Sequence, residues 1–225
     1  MTSSYFLIII IGLVGLVVQM KLQSVFKKYS REYFPGGYTG KDVAEKMLRD
    51  HGIFDVKVVA TRGILTDHYN PATRTVNLSE SVYSGCSISA AAVAAHECGH
   101  AIQHAQGYAP LRLRSALVPI VQYSSILSTW VVIAGVLLVN TVPAIFWVGI
   151  AMIAASALFS IVTLPVEYNA SSRALAWLEG ARILSPEQME GAKTSLRWAA
   201  RTYLVAAISA IASLLYYLGF APDRD

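Results

Sequence analysis

The sequence predicts a mainly α-helical membrane protein with about four transmembrane helices and a small α+β domain on the cytoplasmic side. Three observations carry that expectation. Of the 225 residues, 55% are hydrophobic and only 14% charged, a balance too apolar for an ordinary soluble domain. The apolar residues gather into blocks of a length suited to crossing a bilayer. Of the 18 lysines and arginines, all but Arg224 fall within 21–116 and 165–202, segments that the positive-inside rule assigns to the cytoplasm.

The elements follow in chain order. Residues 1–20 form an N-terminal anchor around the apolar block Tyr5 to Met20. Its leading residues Met1 to Ser4 are uncharged and Lys21, Lys27, Lys28 and Arg31 follow it, the reverse of a cleaved signal peptide, so the anchor is retained with its N-terminus outside. Residues 21–116 are a cytoplasmic α+β segment. Within it, Val43, Ala44, Met47 and Leu48 recur at helical spacing over 41–51, and Gly52 ends that helix. Asp55 to Ala60 and Thr75 to Leu78 are β-branched and strand-like, with a turn at Asn70-Pro71-Ala72-Thr73 between them. A further helix starts at Ser87 or Ser89, runs through the alanines of 90–95 and stops near Gly107 and Pro110.

Residues 117–164 are a transmembrane hairpin, Leu117 to Val139 and Val142 to Leu164, turned at Asn140-Thr141. The first half of its leading arm holds Pro119, Gln122, Ser124, Ser125, Ser128 and Thr129, so that part could instead be an amphipathic piece lining a cavity. Residues 165–202 return to the cytoplasm as helices, Pro165 being suited to a helix start or kink at the boundary. Residues 203–225 hold the last span, Tyr203 to Phe220, and the tail Asp223-Arg224-Asp225. Tyr5, Phe6, Trp147, Tyr216, Tyr217 and Phe220 would line the outer interface. The net charge of +4 follows from the cytoplasmic cations alone, and no nucleic-acid partner is needed to explain it.

The chemistry concentrates at His96-Glu97-Cys98-Gly99-His100. On a helix, imidazoles four residues apart share a face and can hold one zinc ion, while Glu97 stands beside it to take a proton from water. A hydrolytic zinc needs a third protein ligand and an open position. His104 lies about 12 Å from His96 along a helix axis, too far for one tetrahedral ion. Gln103 and Gln106 occupy the positions where a metzincin needs glycine and histidine. Glu167, on the same membrane side, is the better candidate, although a carboxylate there could equally be a solvated helix-end residue. Ser171, one turn on, could hydrogen-bond a histidine ligand from behind, and His104 is a candidate for a similar supporting or cleft-lining role. Val76, Asn77 and Leu78 are expected to form an edge strand that pairs with an extended substrate. Cys86 and Cys98 are expected to be packing residues, since a disulfide is not favoured in a reducing compartment.

The chain resembles the bacterial YugP-like family of neutral zinc metallopeptidases, which is distantly similar to the HtpX heat-shock proteases and the CAAX prenyl proteases. The resemblance lies in Leu65-Thr66-Asp67-His68-Tyr69-Asn70-Pro71, Val76 to Ser79, Val93 to His104 and Leu164 to Ser171. It implies a gluzincin-like zinc site on the α+β domain, ligation by Glu167, and a location in the bacterial plasma membrane with the active site facing the cytoplasm. In the related proteases an aspartate commonly follows the third ligand by four residues; this chain has Ser171 there. His68 and Tyr69 precede a turn and could donate hydrogen bonds to an oxyanion. The expected activity is zinc-dependent hydrolysis of peptide bonds in membrane or unfolded proteins, with peptide substrates and the lipid bilayer as partners. The competing readings are a catalytically inactive zinc-stabilised scaffold or adaptor and a zinc hydrolase of a lipid-linked, non-peptide substrate.

Overall fold

The computed structural model describes residues 2–34 and 36–221, with side chains from residue 6 onward. Tyr5 of the expected aromatic belt and the Asp223-Arg224-Asp225 tail therefore lie outside the described side chains. The elements are α1 (Thr2–Tyr29), α2 (Gly40–Asp50), β1 (Lys57–Thr61), β2 (His68–Asn70), β3 (Thr75–Ser79), α3 (Glu80–Tyr83), α4 (Ile88–Ala105), α5 (Ala109–Leu137), α6 (Pro143–Gly180) and α7 (Pro186–Leu218). Four of these helices, over Phe6–Tyr29, Ala109–Leu137, Pro143–Gly180 and Pro186–Leu218, are long and apolar enough to cross a membrane. The chain divides into two compact units: residues 1–18, 112–165 and 202–225 form one, and residues 19–111 and 166–201 the other.

In the first unit, α5 and α6 approach closely because small residues face each other. A Cβ on Gly135 would stand 2.6 Å from the Phe146 Cα, and one on Gly149 would stand 2.8 Å from a Val132 methyl. Such small-residue seams let apolar helices pack where the hydrophobic effect does not distinguish helix from lipid. The polar half of the second block is not a separate piece, since α5 is one helix with Pro119 inside it. Pro165 likewise does not start a helix. It lies within α6, where its missing amide removes a single i→i−4 bond and the flanking turns carry the helix through.

The second unit holds the hydrophobic core. α2 is set by a capping box: Thr39 Oγ1 accepts the Asp42 amide at 3.2 Å, and the Asp42 carboxylate accepts the Thr39 amide at 2.8 Å. Its apolar stripe of Val43, Ala44, Met47 and Leu48 is buried against the alanine-rich α4. The α4 alanines at 90–92, 94 and 95 are all 1% exposed or less, as expected of a helix that is apolar all round. Cys98 belongs to this packing, donating its thiol to the Ala44 carbonyl at 3.5 Å, and burial pushes its pKa well above the ordinary thiol value.

The sheet corrects two expectations. Its order is β1-β3-β2, with β1 and β3 parallel and β2 antiparallel to β3. The Asn70 turn therefore joins β2 to β3. A short turn can close only an antiparallel pair, and the parallel β1–β3 pair needs the whole 62–74 connection. Asn70 Oδ1 stabilises the turn by accepting the Ala72 amide at 2.9 Å. The second correction concerns Val76, Asn77 and Leu78. They are in the central strand, where Val76 and Asn77 are paired on both sides and Leu78 with Ala60 of β1, and the side chains of Val76 and Leu78 are fully buried. They cannot serve as a substrate-pairing edge; the sheet's open edges belong to β1 and β2.

Candidate metal centre

α4 and α6 bring the chemistry together. Ser87 starts α4 by accepting the Ala90 amide at 3.3 Å, and Gly107 ends it in the left-handed region at φ +63°. The contact between the two helices depends on Gly99. A Cβ there would stand 2.6 Å from the Ala170 carbonyl oxygen, so only glycine permits this approach. Gly99→Ala is therefore expected to destabilise the protein by about 1–3 kcal/mol and to loosen the site. An unchanged unfolding midpoint together with unchanged zinc content would refute that.

Across this contact His96 Nε2 lies 3.2 Å, and His100 Nε2 3.6 Å, from the same oxygen of Glu167. The three ligand atoms all fall within 4.8 Å of one another. With bonds of 2.0–2.1 Å, a tetrahedral zinc separates neighbouring ligand atoms by about 3.3 Å, so the spacing and the two-imidazole, one-carboxylate donor set fit this ion. Glu167 is 1% exposed, His100 7% and Glu97 8%. A buried carboxylate of this kind needs cationic or hydrogen-bonding company.

The family profile described as "putative neutral zinc metallopeptidase" matches residues 4–221. The chain belongs to this family. A Bacillus subtilis (strain 168) protein described as "Putative membrane protease YugP" is 39% identical over 223 residues, 98% of each chain. No solved structure matches. Zinc is the cofactor of such a metallopeptidase, and His96, His100 and Glu167 are the group that could hold it.

Each imidazole is steered from behind. Ser171 Oγ lies 3.1 Å from His96 Nδ1. Gln103 does the same for His100, and its orientation can be deduced. Its amide nitrogen donates to the Val166 carbonyl at 2.8 Å and to Asn169 Oδ1 at 3.0 Å, which leaves its oxygen facing His100 Nδ1 at 3.0 Å. Asn169 Oδ1 also accepts Arg173 Nε at 2.7 Å, and Arg173 reaches on to Gln106. His100 Nδ1 must therefore carry the proton, and the neutral ring presents its Nε2 lone pair toward Glu167. Burial lowers the basicity of His100, but hydrogen bonding to Glu167 and the charges of Glu97 and Glu167 outweigh it, so the pKa is raised above the ordinary histidine value. A proton and a metal compete for that nitrogen.

The sequence alone gives Gln103, Asn169 and Arg173 no role in the site. The available signal was a glutamine one turn after His100 in an otherwise apolar helix. His104, expected as a supporting group, instead meets the Tyr69 hydroxyl at 2.7 Å through Nδ1; the support it was assigned comes from Gln103. Burial raises the Tyr69 pKa. His68 and Tyr69 are neighbours in β2, so their side chains point to opposite faces. Tyr69 faces α4 through its His104 contact, while exposed His68 bonds through Nδ1 to the Thr66 carbonyl at 2.8 Å. The pair cannot act together on one substrate oxygen. Gln103→Ala is expected to weaken zinc binding about 10- to 100-fold, measured by competition with a chelator; equal affinities would mean that His100 is oriented without it.

Proposed function

We propose that the protein is a zinc-dependent membrane endopeptidase that hydrolyses peptide bonds of membrane or unfolded proteins at the cytoplasmic membrane surface. Residues 21–116 and 165–202 supply the catalytic domain, and the apolar segments 1–20, 117–164 and 203–225 hold it in the membrane. His96, His100 and Glu167 are the metal ligands. The observation that carries this reading is the convergence of both Nε2 atoms on one Glu167 oxygen, with Glu97 beside them. Among the described residues the buried Glu97 carboxylate has no hydrogen-bond partner, so its lone pairs remain free for water.

Zinc, when bound, supplies a Lewis acid that polarises a carbonyl and brings the pKa of a coordinated water toward 7. Glu97 accepts a proton at its carboxylate and delivers it to the departing amine. Gln103 holds the His100 ring in the tautomer that leaves Nε2 unprotonated, and Ser171 orients the His96 ring through Nδ1. Glu167 closes the set with a negative charge, favouring a cation over a neutral occupant. A general base is not required for metal binding alone, and this favours the enzyme over an inert scaffold. The test compares the proteomes of membranes carrying wild-type or Glu97→Gln protein. Shortened membrane proteins that depend on wild type and vanish with a zinc chelator are expected; identical proteomes would refute the reading.

The orientation rests on the distribution of lysine and arginine. In a Cys86→Ala, Cys98→Ala background, cysteines introduced at Ser30 and Lys193 should resist an impermeant thiol reagent in intact cells, and one at Thr141 should react. Labelling at Ser30 would reverse the topology.

A further inference from the structure

α4 also forms the floor of a cavity of about 490 Å³, a size typical of ligand pockets. The floor residues are Ala90 and Val93, and the walls include Asp67, Ser79, Ser87 and Ser89. These polar groups already satisfy one another. Asp67 accepts the Ser79 amide at 2.7 Å and its hydroxyl at 3.0 Å, while Ser87 Oγ lies 3.2 Å from Ser89 Oγ and accepts the Ala90 amide. Gln23 and Lys27 of α1 and the following Ser30 also line the cavity, and the rest of the surface left for an occupant is mainly apolar.

The lining continues into Ile64 and Leu65, which are 86% and 52% exposed. Leu65 has φ +57°, a left-handed conformation that a leucine adopts only under strain. Strain of this kind gathers at functional sites. The cavity and the metal centre lie on the same helix, α4, which supplies Ala90 and Val93 to the one and His96, Glu97 and His100 to the other. Ala90, Val93 and Glu97 follow at i, i+3 and i+7, one strip of α4. Val93 and Ala90 lie about 6 and 10 Å from Glu97 along the axis at ~1.5 Å per residue, which an extended peptide at about 3.3 Å per residue spans in two or three residues.

We propose that this cavity is a specificity subsite that takes a bulky apolar side chain of the peptide substrate, two or three residues from the bond cleaved beside Glu97. The proposal rests on the endopeptidase reading above. Zinc-loaded protein in lipid nanodiscs is given a mixed-sequence peptide pool, and cut sites are read by mass spectrometry. Leucine, isoleucine, phenylalanine or methionine should be enriched about tenfold at one position two or three residues from the cut. Leu65→Gly removes the apolar side chain and relieves the left-handed strain, so its unfolding midpoint should hold or rise while the enrichment falls severalfold. Ile64→Ser, at a more exposed position, should lower it as well. If zinc-dependent cutting occurs without that enrichment, or with equal enrichment in both variants, the subsite is overturned and the endopeptidase stands. If wild type makes no chelator-sensitive cuts, both are overturned.

Discussion

Glu97→Gln is expected to retain about one zinc per chain and to lose cleavage by two to four orders of magnitude, the range spanned by a positioned general base. The amide is nearly isosteric with the carboxylate and cannot take a proton at neutral pH. Since the group that could hold the metal is His96, His100 and Glu167, this change leaves that donor set intact. His96→Ala and His100→Ala should instead lose zinc and cleavage together. Metal analysis beside a fluorogenic peptide assay separates these outcomes, and full activity in Glu97→Gln would eliminate the mechanism.

The second large effect belongs to the third ligand. Glu167→Ala removes the only anionic member of the triad and leaves the buried His100 and the partly exposed His96 facing a cavity, so zinc should be lost on dialysis. His104→Ala should keep full stoichiometry, because that ring is engaged with Tyr69. Zinc retained in Glu167→Ala but lost in His104→Ala would reverse the assignment.

Much of this was legible in the sequence because each signal was local. The i,i+4 histidines and the α2 stripe at 43, 44, 47 and 48 are periodic patterns that tertiary packing had no reason to override. Four apolar segments were likewise visible by length and composition. What escaped was non-local. β2 is three residues long, too short for alternation to register, and without it Val76 to Leu78 reads as an edge. Pro165 reads as a boundary, although a helix this long tolerates one missing hydrogen bond. Gln103 gains its meaning from Val166 and Asn169, more than sixty residues away.

The meeting of α4 with α6 at Gly99 and Ala170 also sets a schedule. His96 and His100 are synthesised well before Glu167, with all of α5 between them. A nascent chain that ends anywhere before the middle of α6 holds two histidines and a base but lacks the buried anion that completes the set. The same split that makes the centre depend on helix packing thus means that the three candidate ligands can come together only after most of α6 has been made.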